Sequence, residues 1–358
     1  MESGERDDCI YLTVETSQSN IQISTAATHQ LIQDGRELEI EHNYYSLEGL
    51  TEFSFEHYID QDEELTINKI CSIYRSDENI SDTLSSALAL LQENKEIERI
   101  NTDSEAAWKK IWDKIDIRIE GDRLAQKLLR LHMYHLMVST SPHNKDIDFG
   151  IPARGLHGEA YRGHIFWDEL FILPFYLMHF PEIASSVNMY RYRRLEEARK
   201  YAKEYGYAGA MFPWQSGSSG REETQVMHLN PVSGKWGPDH SSLQRHVSLA
   251  IAYNIWNYYW YTDDLEFMNG YGAELLLETC RFWASKCVLN QETGRYSISN
   301  VMGPDEFHEK YQGADKGGLR DNAYTNIMVV WLLEKTMELM EKIEKKALFK
   351  KLNFSSSE

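Results

Sequence analysis

Glu306, within Gly303-Pro304-Asp305-Glu306-Phe307-His308, has the setting of a general acid for a glycosidic bond. Breaking such a bond with inversion needs one protonated carboxyl at the leaving oxygen, while a nucleophile attacks the anomeric carbon from the opposite face. Pro304 and Phe307 can hold Glu306 in a stiff, partly apolar wall, and Asp305 adds like-charge pressure. Both effects raise a carboxyl pKa and favour the proton-bearing form. Read alone, the Pro-Asp-Glu tripeptide is more often a turn with solvated acids. Trp167-Asp168 shifts that balance, since an indole face is a platform for a pyranose and a neighbouring carboxylate can accept hydrogen bonds from vicinal hydroxyls. Asp168 is also suited to be only the N-cap of a helix over 169–179. Trp214, in Phe212-Pro213-Trp214-Gln215-Ser216, is either a second platform or a buried loop anchor.

Other polar groupings carry less. Gly217-Ser218-Ser219-Gly220-Arg221 looks like a phosphate-cradling loop, but no Lys-Ser or Lys-Thr follows and no strand precedes it, so no nucleotide cofactor is assigned. His228, His240, His246 and His308 miss the spacings of metal ligands, so no metal is assigned. Arg154, Arg162 and Arg221 can meet an anion, although solvated or ion-paired arginines are the commoner case.

These residues need elements to hold them. With 358 residues the chain can bury a sizeable core in two domains, or in one large domain with an appendage. Aromatic residues make up 12%, enough for carbohydrate stacking as well as core packing. The formal charge of −19 sets a repulsive field against nucleic acid and anionic membrane surfaces and leaves neutral small molecules as the expected partners. Four cysteines without CxxC spacing read as reduced thiols. An acidic start without an apolar core, and no uncharged apolar run long enough to span a bilayer, give the expectation of a soluble, cytoplasmic protein.

The fold class expected is mainly α, with an antiparallel β section in front. Residues 9–80 alternate apolar and polar positions in short runs, as in Ile10-Tyr11-Leu12-Thr13-Val14 and Phe53-Ser54-Phe55-Glu56, which predicts antiparallel strands with one buried face. We therefore expect a partial β-sandwich over 1–80 and a helical linker over 81–120, with a helical domain over 121–358. Ser81 and Asp82 can cap a helix carrying Leu84, Leu88 and Leu91, and Asp103 or Ser104 one carrying Trp108 and Trp112. Further helices are predicted near 122–139, 168–179, 184–204, 242–261, 264–288 and 321–345. Long Gly-rich polar loops at 141–165, 206–240 and 290–320 separate them and carry every motif named above, as functional loops do.

Taken in order, the blocks Ile151 to Leu156, Gly158 to Asp168, Tyr190-Arg191-Tyr192 and Gly209 to Trp214 resemble glycoside hydrolase family 65. So do Tyr271 to Glu274, Arg281 to Ser285, Gly303 to His308 and Asn322 to Asn326. That family holds maltose, trehalose and kojibiose phosphorylases with related acid trehalases and glucosyl hydrolases. The resemblance implies a β-sandwich, a helical linker, an (α/α)6 toroid and a small C-terminal β-domain. It implies Glu306 as general acid, and Trp167 and Asp168 as ligands of the glucosyl unit. The partners implied are an α-linked glucosyl disaccharide and inorganic phosphate, the co-substrate that attacks with inversion to give β-glucose 1-phosphate; no cofactor is needed.

Two departures qualify that picture. The chain offers roughly half the helices such a toroid requires, and 9–80 corresponds only to the last strands of the sandwich. A middle fragment is therefore expected, with a separate chain carrying the missing C-terminal half: a Lys-Gln pair on the sugar, the phosphate-holding loop and the base Glu of the hydrolases. The stretch from Glu222 to His246 also differs from the usual maltose phosphorylase wording, which leaves the acceptor sugar open. Inverting hydrolysis and an inactive or sugar-binding remnant stand beside phosphorolysis as alternatives.

Overall fold

The structure is a computed structural model that describes residues 2–39, 41–78, 80–156, 158, 160–304 and 308–352. Residues 1–117 and 118–358 form two compact units.

The first unit is built from strands β1 (Glu2–Arg6), β2 (Cys9–Glu15), β3 (Gln22–Gln33), β4 (Arg36–Glu37), β5 (His42–Leu47), β6 (Leu50–Phe55) and β7 (Leu65–Arg75). The long β3 is central, pairing antiparallel with β2 and β4 and, along its whole length, with β7; β1 pairs with β2. The period-two pattern is realised directly: Cys9, Tyr11 and Thr13 are buried while their neighbours in β2 are not. Helix α1 (Thr83–Glu93) starts where expected, Asp82 accepting the Ser85 N–H at 2.9 Å. Its Leu84, Ala87, Leu88 and Leu91 pack on Cys9, Tyr11, Ala26 and Ile70 of the sheet, so this helix roofs the strands. The β5–β6 hairpin meets the sheet through Phe53, stacked on His29 at 4.6 Å, and through a Ser46–Ser3 hydrogen bond.

Helix α2 runs Ile97–Ile115, so Asp103 and Ser104 lie inside it and not at its start. Asp103 is instead an i,i+4 partner of Arg99, and the Thr102 hydroxyl donates back to the Glu98 carbonyl. Trp108 and Trp112 stack on one face as their spacing requires.

The second unit is mainly helical: α3 (Arg123–Ser139), α4 (Glu169–His179), α5 (Pro181–Arg193), α6 (Leu195–Glu204), α7 (Val247–Thr262), a short α8 (Leu265–Phe267), α9 (Ala273–Lys286), α10 (Ala323–Met340) and α11 (Lys345–Lys351). The predicted 184–204 helix is broken at Arg194, whose guanidinium swings to Asp148 at 2.9 and 3.1 Å and lies 3.6 Å over the Tyr190 ring. α7 is the core helix, with Val247, Leu249, Ala250, Ile251, Ile255 and Tyr258 all buried, as an all-round apolar pattern demands. It packs against α4, α5, α9 and α10. The long loops carry short hairpins, β8 (Met227–Leu229) with β9 (Trp236–Pro238), β10 (Val288–Asn290) with β11 (Arg295–Ser297), and β12 (Ser299–Val301) with β13 (Leu319–Arg320).

Two helices present a second apolar face. α10 buries Val329, Leu332 and Leu339, yet leaves Ile327, Val330, Leu333 and Met337 exposed. α3 buries Met133 and Met137 and exposes Leu124, Leu128, Leu131 and Val138. Helices that are apolar on opposite faces normally lie between layers of a larger core. No helix among the described residues is long and apolar enough to cross a membrane.

Candidate functional site

The N-terminal ends of α4, α7 and α10 meet. Trp167 and Asp168 precede the first residue of α4, His246 precedes α7, and Tyr324 lies in the first turn of α10. Their rings form one cluster, with Trp167 4.7 Å from His246 and 6.5 Å from Tyr324, and His246 6.0 Å from Tyr324. Trp214 joins from a loop, 6.1 Å from Trp167 at 50° and 5.3 Å from His246. Two half-buried indoles thus stand at an open angle beside one another, an arrangement fit to hold a flat apolar face such as that of a pyranose.

The Trp214 loop is held closely. Gly209 carries a positive φ of 69°, and a Cβ there would fall 2.2 Å from the Glu278 carbonyl, so only glycine lets this strand of chain lie against α9. Ala210 then donates to Glu278 and Phe212 to the Ser248 hydroxyl. Glu222 closes the loop: its carboxylate accepts the N–H groups of Trp214 (2.9 Å), Gln215 (3.1 Å) and Thr224 (3.3 Å), with the hydroxyls of Thr224 (2.5 Å) and Tyr201 (3.1 Å). An antiparallel bridge between Ile165 and Ser216 ties this loop to the segment leading into Trp167.

Asp168 occupies the N-cap position with helical backbone angles, but its side chain makes no cap hydrogen bond. Burial pushes its pKa up, opposed only by its own backbone N–H, and no other described side chain pairs with it. Its neighbour Glu169 is the reverse case. Only 2% exposed, it takes Arg191 Nε at 3.2 Å and Nη2 at 2.9 Å on Oε2, and the Ile151 N–H on Oε1. The same Nη2 donates to the Phe166 carbonyl at 2.6 Å, so the ion pair fixes the chain directly before Trp167. Neither Glu169 nor Arg191 has an assigned role from sequence; Arg191 stands only within the Tyr190-Arg191-Tyr192 block, and Glu169 directly follows the block that ends at Asp168.

Glu306 lies outside the described residues, as do Asp305 and Phe307. The base of their loop is described. Gly303 N–H donates to the His308 carbonyl at 3.0 Å, and Met302 N–H to the Leu243 carbonyl at 2.8 Å, three residues before His246. A Cβ on Gly303 would also fall 3.2 Å from the side-chain nitrogen of Asn322, which caps α10 by accepting the Thr325 N–H. The loop therefore springs from between the N-termini of α7 and α10, beside the aromatic cluster. Of the arginines, Arg162 donates to the Glu223 carbonyl and Arg221 to the Ser219 hydroxyl. No group of three or more metal-binding side chains occurs among the described residues.

His246 is 1% exposed, and neither ring nitrogen has a hydrogen-bond partner. Burial drives its pKa down to about 4 from an ordinary 6.5, opposed by the Met302 backbone. The unfolded chain therefore takes up this proton at higher pH than the folded one. Its contribution is intact above pH 6.5 and is lost as the pH falls towards 4. We expect ~3 kcal/mol of acid destabilisation from this ring. Urea unfolding at pH 7 and pH 4 should show that much less acid loss in His246→Phe than in the native chain.

A model of the glycosyl hydrolase family 65 N-terminal domain matches residues 1–111, and a model of its central catalytic domain matches residues 130–358. The chain belongs to glycosyl hydrolase family 65. Among family 65 relatives, an uncharacterized glycosyl hydrolase of Mycobacterium tuberculosis is 40% identical over 355 residues, 98% of this chain and 27% of that protein. The trehalose 6-phosphate phosphorylase of Lactococcus lactis is 46% identical over 248 residues, 69% of this chain and 32% of the relative. A solved structure named provisionally as a kojibiose phosphorylase from the human microbiome superposes with a TM-score of 0.78 at 26% identity, covering 100% of this chain and 45% of that one. The chain thus spans less than half the length of each family 65 protein compared.

Proposed function

We propose that this chain carries the glucosyl-binding part of an inverting α-glucoside phosphorylase. The observation that supports it best is the pair of indoles, Trp167 and Trp214, set beside the uncommitted Asp168 carboxylate and next to the base of the Gly303–His308 loop. In this reading the glucosyl ring lies against the indoles and Asp168 accepts its hydroxyls. Glu306 gives its proton to the glycosidic oxygen as phosphate oxygen attacks the anomeric carbon from the opposite face. The bond to the leaving sugar breaks, and β-glucose 1-phosphate and a free sugar result. Phosphate arrives anionic, so no protein base and no cofactor are required.

The exposed apolar faces of α3 and α10 support a fuller architecture, an (α/α)6 toroid preceded by a β-sandwich and a helical linker. Further helices, on a longer or a separate chain, would cover those faces and bring the groups that hold phosphate. Four unpaired cysteines, Cys71 among them exposed, suit a reducing cytoplasm.

The test is to incubate the chain, alone and with the C-terminal half of a family phosphorylase, with a panel of α-linked glucobioses. Phosphate-dependent release of β-glucose 1-phosphate is expected. Free glucose without phosphate would replace this reading with hydrolysis, and no turnover in either arm would leave a sugar-binding piece. Asp168→Asn should weaken glucose binding by roughly 10- to 100-fold, the worth of hydrogen bonds to a charged acceptor. Unchanged affinity in a titration followed by tryptophan fluorescence would remove Asp168 from the site.

A further inference from the structure

We infer that His246 is a positioning residue: set edge-to-face with both Trp167 and Trp214, it fixes the angle between the two indoles and so the surface offered to a pyranose. The importance of that surface rests on the sugar-platform reading above; the packing does not. The ring is 4.7 Å from Trp167 at 70° and 5.3 Å from Trp214 at 60°, both edge-to-face settings. It is fully buried, and neither ring nitrogen makes a hydrogen bond of ordinary geometry, although the Met302 backbone lies close enough to act on the ring. An unsatisfied buried polar group costs roughly 1–3 kcal/mol, so a residue kept only for packing would be better served by Phe or Leu. What an imidazole edge offers that a phenyl edge does not is an N–H. Directed at an indole face, it is attracted by the ring's negative quadrupole.

The backbone reinforces the setting. The His246 carbonyl accepts the N–H groups of Leu249 and Ala250, which fixes its Cα on the first turn of α7. Arg245 beside it donates to the Tyr201 hydroxyl at 2.8 Å, and that hydroxyl donates to Glu222, the carboxylate that grips the Trp214 loop. The start of α7 is therefore joined to Trp214 twice, through the imidazole and through the Arg245–Tyr201–Glu222 chain. Trp167 has the imidazole as its link to the same helix end.

The experiment uses the full chain with His246→Phe, His246→Ala and His246→Asn, and Trp167→Phe and Trp214→Phe as references. Coupling between neighbouring indoles gives a couplet in far-ultraviolet circular dichroism, and its loss in both tryptophan variants assigns it to this pair. Glucose is the binding probe. His246→Phe and His246→Ala should lose the couplet and bind glucose roughly tenfold more weakly, the scale of one aromatic contact. His246→Asn, whose amide also presents an N–H edge, should restore part of both. An unchanged couplet in His246→Phe would overturn the inference. So would an Asn variant no better than Ala, or couplet loss that merely follows global unfolding in all three. If Trp167→Phe leaves glucose binding intact, the platform reading fails, while the couplet still decides whether His246 orients the indoles.

Discussion

Arg191→Ala should destabilise the chain by about 3–5 kcal/mol, the range for removing one partner of a buried ion pair. Its guanidinium and the Glu169 carboxylate are 3% and 2% exposed, so no water can take over when the cation goes. Burial already pushes the Glu169 pKa up, and Arg191 is the main influence holding it down. Without the arginine, the folded-state pKa of Glu169, already above that of the unfolded chain, rises further. The folded state then binds this proton more readily, so the variant's deficit should shrink as the pH falls and grow as it rises. Urea unfolding between pH 5 and pH 8 reads this directly. The double variant Arg191→Met, Glu169→Leu should recover much of the loss, because it removes both desolvated charges together. A single variant within 1 kcal/mol of the native chain, or a deficit that grows towards acid, would show that the pair is not the anchor described here. The same substitution releases the Phe166 carbonyl, so the indole of Trp167 should lose its fixed setting in molecules that still fold.

Why this ion pair escaped the sequence reading is instructive. Glu169 follows Trp167-Asp168 and opens a helix, where an acidic residue needs no explanation beyond the helix dipole. Its partner lies 22 positions later, on a different helix, and only tertiary packing makes the pair. His246 was likewise legible only as a failed metal ligand; burial and aromatic neighbours from three other segments give it its meaning. By contrast, Trp167, Asp168 and Trp214 could be proposed from sequence because residue type alone suits them to a sugar, and the structure brings the two indoles together. The cap at Asp82 was readable for a related reason: a single local hydrogen bond decides it. Asp103 looked like a cap by the same rule, but Arg99 one turn earlier gives it a helical partner, and the helix runs through. The break at Arg194 had no local signal, since its cause is Asp148, 46 residues earlier.

Glu306→Gln should abolish turnover of ordinary disaccharides in the complemented enzyme while leaving the glucosyl subsite nearly intact. General-acid catalysis contributes typically 10²–10⁴-fold, and a loss of that size in kcat is expected with little change in glucose affinity. Gly303 and His308 close the base of the loop that carries Glu306, and Met302 is bonded to Leu243, so the base of the loop lies beside the buried aromatic rings of His246 and Tyr324. An acid near such a wall is kept protonated by poor solvation of its charged form. A glutamine has the same shape and no proton to give. The deficit should therefore depend on the leaving group. A glucoside whose aglycone is already a good leaving group needs little protonation, and Glu306→Gln should turn it over far closer to the native rate than it does a disaccharide. Equal losses on both substrates would point to a binding or folding role for Glu306 instead. Undiminished turnover of the disaccharide would reject it as the acid and move the search to the described carboxylate beside the indoles, Asp168, whose pKa burial raises.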